Sequence, residues 1–399
     1  MWDVLSLGLT LAVAIVSVPV VVFFVEVMAA RAPSQPSAAR QEPAQALGPV
    51  AVVIPAHDES RGILPTLADV MPQLGTGDRL IVVADNCSDD TAAVAAAAGA
   101  EVIRRDDPAR IGKGYALAYA IDHLAALPPR FVVFIDADCR VPPGAVAALR
   151  SACAATERPV QSAYLMKAPP QSAVDHRFAE FAWIVKNWVR PLGLRRLGCP
   201  VQLMGTGMMF RWDDIRAVPL SSGHLVEDLK LGLDLAAMGK PPVFLPSVAV
   251  TSEFPVSASG VETQRQRWVN GHLAMISHAL PRLMWRAFAD SNPGLLALTL
   301  DLAVPPLSLL AALVIAALSA GAMGAALGAS LVAPAVAALD LVLLATALWS
   351  AWRGFGAGAL APSLGVPAIL PVLLSKGRLY RHLLLGKAPR RWIRTDRGR

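Results

Sequence analysis

An α/β domain on a mostly parallel sheet, joined to apolar helices that enter a membrane, is the fold class predicted for this chain of 399 residues. Three observations carry it. Short β-branched runs alternate with helix-forming stretches from residue 50 onward, which is the order of βαβ units. The chain is 55% hydrophobic with a mean hydropathy of +0.49, too apolar for an ordinary soluble domain. The excess lies at the N-terminus and beyond residue 298, leaving the middle ordinary in composition.

Val4 to Val25 is long enough to cross roughly 30 Å of hydrocarbon as a helix. The segment before it carries Asp3 and no Lys or Arg, unlike a secretory leader, while Arg31 and Arg40 follow. The positive-inside rule therefore places the N-terminus outside and the next domain in the cytoplasm of a multi-pass inner- or plasma-membrane protein. Residues 1–28 are expected to be an anchor, 29–48 a linker rich in Ala, Pro, Ser and Gln, and 49–258 a cytoplasmic catalytic domain. The formal charge of +6 is concentrated near the C-terminus beside apolar segments, which fits anionic membrane lipids, and no nucleic-acid signature accompanies it. Cys87, Cys139, Cys153 and Cys199 show no metal-type or disulfide-framework spacing, so reduced thiols are expected.

Within the domain, Val50 to Ile54 is a buried-type strand closed by Pro55 and followed by His57-Asp58-Glu59. Leu80 to Ala84 repeats the pattern and ends in Asp85-Asn86-Cys87-Ser88-Asp89-Asp90-Thr91, before an Ala-rich helix to Ala98. A strand from Glu101 to Arg104, the loop Arg110 to Gly114 and a helix to about Ala126 come next. Phe131 then begins an apolar run that enters Asp136-Ala137-Asp138. Two Asp at i and i+2 on extended backbone project to one side, and hard oxygen donors at a strand end suit Mg²⁺ or Mn²⁺ carrying a diphosphate. A lone pair of this kind is commonly a solvated turn. Here each acidic or Lys-bearing loop, including Gly112-Lys113-Gly114, falls at the same sheet edge, where open α/β sheets bind ligands.

Val160 to Lys167 reads as a strand and Val174 to Arg190 as a helix. Its Phe178, Phe181, Trp183 and Trp188 read as core or membrane-surface contacts in preference to a sugar platform. Gln202 to Phe210 is apolar, with Gly205 and Gly207 permitting close backbone approach. His224 opens an amphipathic helix whose first turn carries Glu227 and Asp228, either as helix-capping charges or as a base. In Gln264-Arg265-Gln266-Arg267-Trp268, helical geometry puts Gln264, Arg267 and Trp268 on one face. Residues 259–290 are expected to be amphipathic and interfacial. Two crossings follow within 298–352, as Leu298 to Met323 and Leu327 to Trp352, with Asp301 and Asp340 as intramembrane acids. Residues 362–385 read as an interfacial helix and 386–399 as a basic cytoplasmic tail.

The motifs Val52 to Glu59, Val83 to Thr91, Gly112-Lys113-Gly114, Asp136-Ala137-Asp138, Glu227-Asp228 and Gln264 to Trp268 together resemble those of membrane-bound family 2 glycosyltransferases of the cellulose, chitin and hyaluronan synthase type. That resemblance covers roughly residues 50–399 and implies the GT-A fold, an inverting mechanism and a nucleotide-sugar donor, with UDP as the nucleotide. It implies that Asp85 contacts the nucleobase, that Pro55, Glu59 and Lys113 help hold the nucleotide, and that Asp138 with Asp136 binds Mg²⁺ or Mn²⁺. Asp228 becomes the catalytic base beside Glu227, while Gln264, Arg267 and Trp268 serve the diphosphate and the acceptor sugar. Asn86 and Cys87 depart from the commoner Asp-Asp-Gly-Ser, which bears on nucleobase choice. Trp392, Thr395 and Arg397 are similar to a Trp-Gly-Thr-Arg gating element, although Ile393, Arg394 and Asp396 alter its spacing.

A saccharide acceptor in polysaccharide synthesis, with export or polymerisation partners, is the implied role. Two alternatives stay open: transfer of one sugar to a lipid-linked acceptor, as in ceramide glucosyltransferase, and an inactive subunit of an assembly complex. Three crossings are a narrow scaffold for a secretion channel.

Overall fold

The computed structural model describes residues 2–31, 47–169, 174–221, 223–224, 226–255 and 258–360. The expected interfacial helix at 362–385 and the tail at 386–399 lie outside them, as does most of the linker. Seven strands form one sheet: β1 (Val50–Ala56), β2 (Arg79–Asp85), β3 (Glu101–Arg105), β4 (Phe131–Phe134), β5 (Val160–Lys167), β6 (Met208–Arg211) and β7 (Val243–Glu253). Their order is β3-β2-β1-β4-β6-β5-β7, with β6 antiparallel to both neighbours and every other pair parallel.

The continuous apolar runs of β1, β2 and β4 follow from burial on both faces. Val50, Val52 and Ile54 face a core built with α2 (Ile63–Val70), α3 (Thr91–Ala97) and α5 (Ala145–Thr156). Ala51 and Val53 face the opposite core, with α4 (Lys113–Leu124), α8 (Trp212–Arg216) and α9 (Glu227–Ala237). β1 is flanked by β2 on one side and β4 on the other, so the strand order reverses there and a crevice opens at their C-terminal ends.

The second half departs from expectation at several points. The stretch from Val174 is broken into α6 (Val174–Ile184), a π-helical turn (Val185–Val189) and α7 (Arg190–Arg196). Of the segment 202–210 only its end is strand; residues 201–207 form an irregular loop that threads past the sheet edge. α9 begins at Glu227, so His224 precedes the helix. The amphipathic region divides into α10 (Ala258–His278) and α11 (Leu280–Ala289).

Three helices among the described residues are long and apolar enough to cross a membrane: α1 (Trp2–Ala29), α13 (Leu307–Ala326), and α14 (Val332–Ala351) with the π-turn that extends it to Gly356. The crossing expected from Leu298 is corrected. Residues 298–302 close a separate short helix, α12 (Pro293–Leu302), and the crossing helix starts only at Leu307. Pro305 and Pro306 lack amide donors and cannot continue a helix, so they separate the two. Asp301 therefore leaves the crossing segment. It pairs instead with Arg190 of α7, which also holds Glu26 of α1 at 2.5 Å. Asp340 does lie in α14, where it accepts a 2.7 Å hydrogen bond from Ser17 of α1. Gly193 is needed where α7 meets α1, since a Cβ there would run into the Glu26 carbonyl.

Candidate active site

The loops at the C-terminal ends of β1, β2 and β4 border an open cleft. Pro55, Glu59, Asp85, Lys113, Asp136, Asp138 and Arg267 line it. A second chamber lies on the far side, lined among others by Tyr164, Glu227, Asp228, Gln264 and Trp268. Lys113, Asp136 and Arg267 belong to both walls. Two cations and a carboxylate thus stand at the passage between the chambers.

Each wall group is positioned by packing. Lys113 sits at the N-terminus of α4 and donates to Asp136 Oδ1 and, at 2.6 Å, to the Gly205 carbonyl. The DxD loop is held from beneath by buried Thr66 of α2, whose Oγ1 lies 2.7 Å from the carbonyls of Ala137 and Cys139, and by Thr206, which accepts from the Asp136 amide at 3.0 Å. Gly205 has φ +95°. A Cβ there would stand 3.2 Å from Asp228 Oδ2 and 3.7 Å from Lys113 Nζ, so only glycine lets this loop run between base and lysine.

Burial pushes the Asp228 carboxyl above its usual range, and it pushes Glu227 to about 7 with repulsion from Asp228 added. Lys113 is raised as well: burial opposes its charge, but Asp136 and Glu227 outweigh it and the ammonium is held charged. A raised Asp228 carboxyl, with Glu227 pushed to about 7 beside it and a fixed cation nearby, is suited to proton abstraction.

Carboxylate oxygens of Asp136 and Asp138 and the thiol of Cys139 come within 4.8 Å of one another. Burial pushes that thiol far up, so it stays protonated and makes a poor ligand, while Thr206 donates to it at 3.5 Å. The remaining pair is all hard oxygen, the class that suits Mg²⁺ or Mn²⁺. A second grouping, Asp58, Cys87 and Asp89, is a loop-building one: Asp58 accepts from the Ser88 and Asp89 amides, and Asp89 from Ser60 and Thr91.

The departure at Asn86 has a structural role. It sits at φ +49°, which Asn tolerates, donates to Asp85 at 3.0 Å and accepts from the Asp107 amide at 2.7 Å, tying β2 to the loop after β3. Asp85 itself pairs with Arg105 at 2.6 Å.

Gln264, Arg267 and Trp268 share a face as expected and all line the second chamber, whereas Arg265 turns to Asp175 at 2.9 Å. Phe181 is packed in the core and Phe178 and Trp188 pack against it, but Trp183 is not confined there: its ring lies 4.6 Å from that of Trp268 on the chamber wall. Lys186, Arg190 and His272 also line this chamber and carry no motif. Their one signal in the sequence is a cation three residues after Trp183 on an aromatic helix. Trp392, Thr395 and Arg397 lie outside the described residues.

The family described as glycosyltransferase like family 2 matches residues 48–271. Among curated proteins, glucosyl-3-phosphoglycerate synthase of Mycolicibacterium paratuberculosis is 40% identical over 106 residues, which is 25% of this chain and 31% of that protein. The chain thus matches less than a third of that relative's length. Among solved structures, a mannosyltransferase from Pyrobaculum calidifontis in complex with GDP-Man and Mn²⁺ superposes with a TM-score of 0.51 at 18% identity, covering 95% of this chain and 99% of that one. Glucosyl-3-phosphoglycerate synthase of Mycobacterium tuberculosis, in complex with Mn²⁺, UDP and phosphoglyceric acid, gives a TM-score of 0.39 at 25% identity over 57% of this chain and 80% of that chain.

Proposed function

This chain belongs to glycosyltransferase family 2, and from that premise we propose an inverting transfer of a sugar from a nucleotide-sugar donor to a saccharide hydroxyl at the membrane. The observation that carries it is the shared wall: Lys113, Asp136 and Arg267 separate the cleft at the ends of β1, β2 and β4 from a chamber that holds Asp228.

In this reading the nucleotide lies across the ends of β1 and β2, with Pro55, Glu59 and Asp85 against it, and UDP is the nucleotide. The diphosphate reaches Lys113 and Arg267, whose charges offset the negative charge that builds on the leaving group. Asp138 and Asp136 would hold Mg²⁺ or Mn²⁺, which when bound supplies further charge neutralisation on the diphosphate. Asp228 takes the proton of the attacking hydroxyl on the face opposite the leaving group, and Glu227 beside it keeps its affinity for that proton high. Gln264 and Trp268 orient the acceptor, with Trp183 extending the aromatic surface. The presence of base, cations and donor cleft in one place argues against an inactive subunit.

Asp228→Asn tests this. Transfer should fall by about 10²-fold or more, the scale for removing a general base, with donor affinity retained. Loss of nucleotide-sugar binding along with the rate would make Asp228 a structural residue.

A further inference from the structure

A third cavity adjoins the second chamber and shares Trp183, Lys186, Arg190, Gln264, Trp268 and His272 with it. Its other walls are mostly apolar: Ala179, Ala182 and Val185 from α6 and the π-turn, Val269 from α10, and Val304 to Leu307. Leu307 is the first residue of a membrane-crossing helix, so the cavity runs from the proposed reaction centre to the level at which the chain enters the apolar phase.

The charges around it are unequal. Arg190 is taken up by Glu26 and Asp301, and Arg265 by Asp175. His272 is pushed down to about 4 by burial and binds the Leu302 carbonyl at 3.0 Å, so it is neutral. Lys186 has no ion-paired carboxylate among the described residues, and its ammonium lies 5.6 Å from the Trp183 ring. Although its side chain has accessible surface, the surrounding protein leaves that surface facing the two cavities. The π-helical turn at 185–189 aims it there, and such turns frequently serve binding sites.

Resting on the glycosyltransferase reading, we propose that the acceptor is lipid-linked: its tail lies in the apolar cavity, an anionic linkage meets Lys186, and its sugar hydroxyl reaches Asp228. A free saccharide has no use for an apolar tunnel that ends at a membrane helix. A single ammonium without an ion-paired carboxylate among the described residues is, by contrast, a ready point-charge partner for a phosphate-type group.

The test uses the full chain in phosphatidylcholine nanodiscs and two photoreactive amphiphiles with a diazirine near the end of a decyl chain. One carries a monosaccharide head through a phosphodiester, the other through an uncharged ether. The phosphodiester probe should label residues 264–272 and 304–308. Lys186→Met should weaken that labelling about tenfold, as expected for loss of one charge-assisted contact, and leave the ether probe unchanged. Lys186→Arg should preserve both, which separates lost charge from lost fold. Equal labelling by both probes that ignores Lys186→Met, labelling confined to the outer faces of α13 and α14, or displacement by phosphatidylglycerol in the disc would each overturn the lipid-linked acceptor. The readout requires no sugar transfer. A chain that labels these walls yet turns over no nucleotide sugar would defeat the glycosyltransferase reading alone; an active chain that leaves them unlabelled would defeat only the lipid link.

Discussion

Arg190 joins α1 to the wall of the second chamber, and removing it should be far more costly than removing either of its partners. Its Nε donates to Glu26 of α1 at 2.5 Å and its Nη2 donates to the Asp301 carboxylate and, at 3.0 Å, to the Asp301 carbonyl. All three side chains are at most 9% exposed. Two buried carboxyls share one guanidinium, so Glu26→Gln leaves the Arg190–Asp301 pair in place and forfeits only the difference between a charge-assisted and a neutral hydrogen bond, about 1 kcal/mol. Glu26 Oε1 already has no hydrogen-bond partner, which keeps that loss small. Arg190→Met breaks the buried pair with Asp301 and leaves both carboxyls without their donor, which should cost about 3–5 kcal/mol. At roughly 2–4 °C per kcal/mol for a domain of this size, the apparent melting midpoint in detergent should fall by about 2–4 °C for Glu26→Gln and about 6–20 °C for Arg190→Met. Replacing Glu26, Arg190 and Asp301 together with Met, Met and Leu should recover most of the loss, because a packed apolar triad avoids desolvation. If Arg190→Met melts no lower than Glu26→Gln, the triad does not hold the anchor to the domain.

The other predictions concern chemistry and placement. Chelation should abolish transfer, and Mn²⁺ or Mg²⁺ should restore it; Asp138→Ala should lose nucleotide affinity in the presence of metal, and full activity of that variant in chelator would remove the metal from the reaction. The raised Asp228 carboxyl must be ionised to accept a proton, and Glu227 beside it is pushed to about 7, so kcat/KM should be high at alkaline pH and fall as the pH is lowered and the pair takes up protons. Glu227→Gln should move that limb down, and an unmoved limb would assign it to another group. Single cysteines at Trp2 and Ala325 should label from outside and one at Thr395 from inside; labelling of position 395 from outside would require a further crossing.

Much of the first cleft's lining was legible because its signals are local. Buried strands read as continuous apolar runs, and Asp85, Lys113 and Asp136 fall at their ends. β7 was not, since Pro246 interrupts it and Pro within a run argues against a strand. In the fold the register jumps between Ser162–Leu245 and Ala163–Ala249, so Pro246 sits in a bulge and takes no part in the ladder. The start of α13 was hidden for a different reason: residues on both sides of Pro305 and Pro306 are equally apolar, and hydropathy alone does not separate a short packed helix from a crossing one. Trp183, Lys186 and Arg190 owe their places to a π-turn and to contacts with distant α1, α10 and α12, none of which a spacing rule reports.

The anomeric configuration of the first product is the most direct test of Asp228 as a base opposite the leaving group. Purified full chain would be given a panel of UDP- and GDP-sugars of α configuration, with the lipid-linked acceptor and Mn²⁺, and the product read by proton NMR before it can equilibrate. A β-linked product, formed from a UDP-sugar and lost in Asp228→Asn, is the predicted result. An α-linked product, or undiminished transfer by Asp228→Asn, would contradict it.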